Sequence, residues 1–195
     1  AQRTGARVVA LSHAPDGVPF ADATVADGEA IAAGSQTLTV LATPGHRFDH
    51  LCLWHAPSGI LFAGDLVAGV GTVVIIPPEG DMRAYLASLA RMQTLPLRRI
   101  WPAHGDAIDD PQAKLAEYVA HRLAREAQVL AALSAAGQSQ TVGDLVPVVY
   151  ADTPASMYGW AAQSLLAHLI KLAADGRVRR LSADNMGPWA IIAGE

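Results

Sequence analysis

QTLTVLATPGHRFDHLCLWHAPSGILFAGD, residues 36–65, is the stretch on which the fold turns. Its opening QTLTVLA (36–42) alternates like a half-buried strand and stops at the breakers Pro44-Gly45. HLCLWHA (50–56) and GILFAGD (59–65) are apolar runs on either side of Pro57-Ser58-Gly59, the pattern of a β-hairpin. Two polar residues stand at the strand ends. His46 follows the Pro-Gly turn, and Asp65 closes an apolar strand, where a bare carboxylate is costly unless paired or coordinated.

Upstream, RVVALS (7–12) reads as a short buried strand, residues 13–23 as a loop, and Thr24–Ile31 as a strand turning at Asp27-Gly28. Downstream, the Gly- and Pro-rich residues 69–80 read as a loop, and Asp81 as the N-cap of a helix over Met82–Met92. RRIWPA (98–103) reads as a strand. Pro111 opens a long helix to Ala136, with Leu115, Tyr118, Val119, Leu123, Leu130 and Leu133 as its apolar stripe. Strands interleaved with helices around a hairpin predict a mixed α/β layer architecture.

After residue 136 the pattern changes. A short helix over 142–150 and a longer one over Pro154–Ala174 are predicted, the latter with Met157, Ala161, Leu165, Leu169 and Leu172 on one side and Gly176 as its cap. VRRL, SADNMG and PWAII then read as a small hairpin. Helices followed by a two-stranded hairpin suggest a winged helix. The expected division is 1–136 and 137–195.

The composition, 195 residues with 51% hydrophobic and 16% charged, provides for a sizeable core and excludes a disordered chain. No apolar run is long enough to span a bilayer, AQRTGARVV does not read as a signal peptide, and the single Cys52 excludes an intrachain disulfide. A cytoplasmic protein without a membrane partner is expected. Net charge −4 argues against a strongly electrostatic nucleic-acid binder. Residues 139–195 carry Lys171, Arg177, Arg179 and Arg180 against Asp144, Asp152, Asp175, Asp184 and Glu195, which favours a lid or subunit-contact role there.

His104 follows RRIWPA and precedes Gly105, which allows close backbone approach. His46, Asp65 and His104 each end a strand, so they can meet at one rim of a sheet. Such donors suit zinc, iron or manganese, and a carboxylate can bridge two ions.

TPGH (43–46), AGD (63–65) and PAHG (102–105) resemble the later motifs of the metallo-β-lactamase fold superfamily. TPGHRFDH, GDLVAGVGT, YVAHRLAREAQVL and the winged-helix-like unit resemble the β-lactamase-like protein 2 group. The resemblance implies part of an αβ/βα sandwich. It implies His46 as a ligand of a first metal, Asp65 as the bridging carboxylate and His104 as a ligand of a second metal, with zinc, two ions, as the expected cofactor. It implies hydrolysis by a metal-bound hydroxide of an ester, a thioester or a phosphodiester in RNA. The family's H-x-H-x-D-H motif, which precedes the strand seen here as RVVALS, does not occur in this sequence. The chain is therefore expected to be a C-terminal part, inactive alone, that associates with its own N-terminal half or forms a homo-oligomer. The rival reading is a non-catalytic nucleic-acid-binding or scaffold protein that uses the winged helix.

Other residues have weaker signals. His50 either supports the site from behind the ligands or is a partly exposed strand residue. His13 and His55 are expected in solvent, His121 in helix packing, and Cys52 in the core. Gly69, Gly71 and Thr72 either line a substrate cleft or form a flexible turn. Trp54, Trp101, Trp160 and Trp189 are expected as core or interface anchors.

Overall fold

In a computed structural model of the chain, residues 5–12 and 21–192 are described; His13 lies outside them. The centre is a five-stranded sheet of β3 (Ala30–Ala33), β4 (Gln36–Ala42), β5 (Leu51–His55), β6 (Ile60–Gly64) and β7 (Arg99–Pro102), in that order. β3 to β6 run antiparallel, and β6 and β7 pair in parallel. A parallel pair needs a crossover, here the 66–81 loop and α1 (Met82–Gln93). β1 (Val9–Leu11) and β2 (Ala23–Val25) form a separate parallel pair. The segment expected as one strand over Thr24–Ile31 is thus two strands of different sheets. Gly28, at φ +81°, makes the break.

Alternation along the strands sorts the sheet's two faces. Leu41, Cys52, Leu61, Ala63 and Ile100 face α1 and α2 (Pro111–Ala136), packing with Tyr85, Leu89, Met92 and Leu115. On the opposite face Val40 packs with Leu11 and Val25. Toward β6 and β7 this second face is open. Phe62 is 41% and Trp101 49% exposed, their rings 6.4 Å apart.

α1 starts where expected, with the Asp81 carboxylate accepting from the Ala84 amide at 2.7 Å. Near its other end Arg91 forks onto both Asp27 oxygens and donates to the Ala42 carbonyl, which ties the β2–β3 turn to the edge of β4. α2 keeps its expected limits, capped by Asp110 and ended by Gly137 at φ +63°. Its buried stripe differs from the expected one. Leu115, Tyr118, Arg122, Arg125, Val129 and Leu133 face inward, and Leu123 is 49% exposed. Spacings of three and four select Arg122 and Arg125 geometrically, and carbonyl and carboxylate partners make their burial tolerable. At 26 residues and about 1.5 Å of rise each, α2 is long enough to serve two cores. Leu115 and Tyr118 belong to the first, Val129 and Leu133 to the second.

That second core joins α3 (Val142–Val149), α4 (Tyr158–Ala174), β8 (Val178–Arg180) and β9 (Trp189–Ile191) through Leu145, Leu165, Leu169, Val178 and Trp189. α3 opens with a reciprocal capping box between Thr141 and Asp144. α4 ends in a Schellman turn: Gly176, at φ +72°, donates to Ala173 and Arg177 to Leu172. The Pro154–Ala174 helix begins with a 3₁₀ turn over Ala155–Met157, and Met157 is exposed rather than part of the inner stripe. Two helices and the β8–β9 hairpin make a winged helix. No helix among the described residues is long and apolar enough to cross a membrane.

Candidate functional site

His46 stands on a turn built against α1. Gly45 lies at φ +140°, and a Cβ there would sit 2.2 Å from the Tyr85 Cα. Ser88 donates to the Pro44 carbonyl and the Asp81 amide to that of Gly45, so the helix start grips the turn. The imidazole Nδ1 lies 2.8 Å from the Val74 carbonyl. Only a protonated Nδ1 can make that bond, which leaves Nε2 as the free lone pair.

Asp65 leaves β6 through an irregularity. The β6–β7 register shifts between Phe62 and Gly64, and Gly64 has φ +50°. A Cβ on Gly64 would lie 2.7 Å from His50 Nε2. That nitrogen accepts the Asp65 amide at 3.0 Å, so His50 is a Nδ1–H tautomer. Nδ1 then donates to Thr43 Oγ1 at 2.7 Å, the threonine hydroxyl faces Cys52 Sγ at 3.3 Å, and the thiol reaches the Ala63 carbonyl at 3.5 Å. One polar chain thereby connects β4, β5 and β6 behind the carboxylate. Burial keeps it neutral. It lowers the His50 pKa, as does neighbouring His46 against the opposing pull of Asp65, and it pushes the Cys52 thiol up to about 12.

Both His50 nitrogens are committed, so its work is to hold the Asp65 backbone. His50→Ala should orphan the Asp65 amide and Thr43 hydroxyl and destabilise the chain by about 1–2 kcal/mol. A thermal melt unchanged within a degree would show that this chain of bonds contributes nothing.

His104 is carried over the loop after β6 by two glycines. The Gly69 amide donates to the His104 carbonyl at 2.8 Å. A Cβ on Gly69 would meet the Asp106 oxygen at 2.3 Å, and one on Gly105, at φ +81°, the Val70 amide at 2.6 Å. Gly69 is thus neither cleft wall nor flexible turn but the place where two backbones cross.

The three residues predicted to converge do so. His46 Nε2 lies 3.9 Å from one Asp65 oxygen, and His104 Nε2 lies 3.4 Å from the other. His104 is outermost, its side chain 74% exposed against 26% for His46. They line an open cavity of about 480 Å³ whose other walls include Val70, Val74 and Trp160. Neighbouring hollows bring no comparable set of donors together. Donors on one tetrahedral ion, at bond lengths of about 2.1 Å, stand roughly 3.4 Å apart, and the His104–Asp65 pair fits that spacing. The donor types suit a divalent ion, and the His46–Asp65 pair is the wider of the two. Among the described residues, no group of three or more His, Cys, Asp or Glu is arranged to hold one ion.

The loop of residues 66–80 lacks regular structure but is not loose. Tyr85 donates to the Leu66 carbonyl at 2.7 Å, and the Tyr118 hydroxyl accepts from the Ala68 amide at 3.0 Å. Arg122 donates to Thr72 Oγ1 at 3.0 Å and to the Val73 carbonyl, beside the Val74 carbonyl that orients His46. Arg122 is 3% exposed and lies over the Tyr85 ring at 5.3 Å. Sequence reasoning missed it, although its place between Leu115/Tyr118 and Val129/Leu133 was the available signal.

Other expectations need correction. His55 is held between Ser58 and Gln36 at 2.6 and 2.9 Å instead of facing solvent freely. His121 is exposed beside two hollows on the α2 flank rather than packed. Trp54 packs against the first core and Trp189 is in the second, but Trp101 and Trp160 stand 49% and 53% exposed. In the C-terminal unit Lys171 is neutralised by Glu126 and Asp175, and Arg180 is bonded to Asn185.

The metallo-β-lactamase superfamily model matches residues 3–104, and the β-lactamase-associated winged helix domain model matches residues 141–189. The chain belongs to the metallo-β-lactamase superfamily and carries that family's associated winged helix at its C-terminal end. It is 37% identical over 154 residues to the β-lactamase-like protein 2 homolog of Caenorhabditis elegans, covering 79% of this chain and 50% of that protein. It is 34% identical over 175 residues to an atrochrysone carboxyl ACP thioesterase of Aspergillus chevalieri, covering 86% and 56%. A β-lactamase domain protein from Burkholderia ambifaria superposes with a TM-score of 0.77 at 25% identity, over 91% of this chain and 54% of that one. The chain thus spans about half the length of the curated relatives it matches. Members of the superfamily bind divalent metals.

Proposed function

We propose that this chain is the C-terminal part of a metal-dependent hydrolase of acyl substrates, thioesters foremost, with His46, Asp65 and His104 as metal ligands. The observation that carries the reading is one carboxylate facing a histidine nitrogen with each oxygen, its backbone fixed by His50. Zinc, two ions, is the proposed cofactor, which His46, Asp65 and His104 would help to hold. What such a centre supplies is an activated water and positive charge for the oxygen that becomes anionic. This chain's own residues set the geometry. Val74 holds the His46 ring, Gly69 and Gly105 hold His104, and the Arg122–Tyr118–Tyr85 set keeps the loop between them in place.

The acyl reading is supported over RNA by the thioesterase relative, and in the winged helix Lys171 is neutralised by Glu126 and Asp175. The remaining donors are proposed to come from the protein's own N-terminal half. The open face around Phe62 and Trp101 is a fitting surface for it.

This chain by itself should bind zinc weakly and substoichiometrically after dialysis. Two firmly held ions per chain, measured by elemental analysis, would refute the claim that its donors are incomplete. In the full-length protein, hydrolysis of acyl thioesters that depends on added metal tests the function. Cleavage of RNA without thioester turnover would replace the acyl reading with the phosphodiester one, and neither activity would favour the scaffold.

A further inference from the structure

A second hollow of about 290 Å³ lies between residues 72–74, α2 and the first turns of α4. It shares Thr72, Val74 and Trp160 with the cavity of His46, Asp65 and His104, so the two are adjacent. Its volume is at the low end for ligand pockets, suited to one group of a substrate rather than a whole cofactor.

The chemistry of its walls selects the group. Trp160 and Met157 stand 53% and 46% exposed and three residues apart, as neighbours at the start of α4. Neither belongs to the second core, so their apolar area meets water with no structural return. The floor contains two arginines, of which Arg125 is paired with a carboxylate. Arg125 pairs with Asp152, donates to the Val149 carbonyl and lies over the Tyr150 ring at 4.3 Å. Arg122 donates through one guanidinium nitrogen to Thr72 and Val73, and its buried Nε has no hydrogen-bond partner among the described residues. A flat apolar group would cover Trp160 and Met157.

We propose that this hollow is the acyl-group pocket of the enzyme, with Trp160 and Met157 selecting a bulky, ring-bearing acyl group whose carbonyl reaches Asp65. The winged helix is then a specificity element. The inference rests on the acyl-hydrolase reading, but its binding arm does not require catalysis, because every wall belongs to this chain.

The test titrates 2-naphthoate and, as a control, acetate into the chain, and follows the Met157 methyl and Trp160 indole resonances. Naphthoate should shift both saturably and acetate neither. Trp160→Ala should weaken naphthoate at least about tenfold, and Trp160→Phe should restore most of the affinity. No saturable shift, or equal affinity in Trp160→Ala, overturns the pocket. In the full-length enzyme, Trp160→Ala should lower kcat/KM for a naphthoyl thioester more than for an acetyl thioester. An unchanged ratio with both substrates hydrolysed overturns the pocket and leaves the acyl-hydrolase function standing. Naphthoate bound as expected with no thioester hydrolysed leaves the pocket and overturns that function.

Discussion

Asp65→Ala in the full-length protein is expected to remove most of the bound metal and to lower turnover by on the order of a thousandfold or more. Each Asp65 oxygen faces a different histidine nitrogen, at 3.9 and 3.4 Å, so one substitution takes a donor from both sides of the site. In the proposed two-ion site it would also remove a negative charge that offsets repulsion between the cations. His46→Ala and His104→Ala each remove one imidazole and should be less damaging, though both should lower metal occupancy and turnover together. Because Asp65 is part-exposed and held through its backbone by His50, the alanine chain should fold. Elemental analysis and thioester hydrolysis on the three variants give the ranking. Full metal content and near-normal turnover in Asp65→Ala would end the bridging assignment.

Gly45→Ala is expected to have the largest effect on stability, more than about 4 kcal/mol, or outright failure to fold. The new Cβ would lie 2.2 Å from the Tyr85 Cα and 2.4 Å from its amide nitrogen. Those are helix backbone atoms, and no rotamer change relieves them. Moving the turn would also break the Ser88–Pro44 and Asp81–Gly45 bonds and carry His46 away from Val74. Gly28→Ala is the control. Its φ is +81° but nothing lies within 4 Å of the added carbon, so only the left-handed strain of about 1–2 kcal/mol applies. Denaturant melts of the two variants should differ accordingly, and similar midpoints would contradict the account of Gly45 as the pivot of the site.

Several features were legible before any coordinates because their causes lie within a few residues. Asp81, Asp110, Gly137 and Gly176 mark helix ends by local capping, and the limits of α2 and of the β5–β6 hairpin follow from breakers and period. The convergence of His46, Asp65 and His104 was legible for a related reason. Each ends a strand, and the ends of neighbouring strands in one sheet are close by construction.

Only the tertiary structure decided the rest. Whether His50 faced solvent or the Asp65 backbone depended on Gly64 leaving room for its ring, fourteen positions away. The burial of Arg122 and Arg125 depends on partners at Val73, Thr72, Val149 and Asp152, all more than twenty residues distant. With most of their buried donors bonded, helix geometry overrides the polarity of the side chains, and the stripe runs through the arginines rather than Leu123. Residues 69–80 read only as a Gly- and Pro-rich loop, and the 66–80 segment is held by Tyr85, Tyr118 and Arg122 from two helices. Trp160 went the other way. Hydrophobicity placed it inside, but the core of the winged helix closes without it and leaves its ring at the mouth of the site.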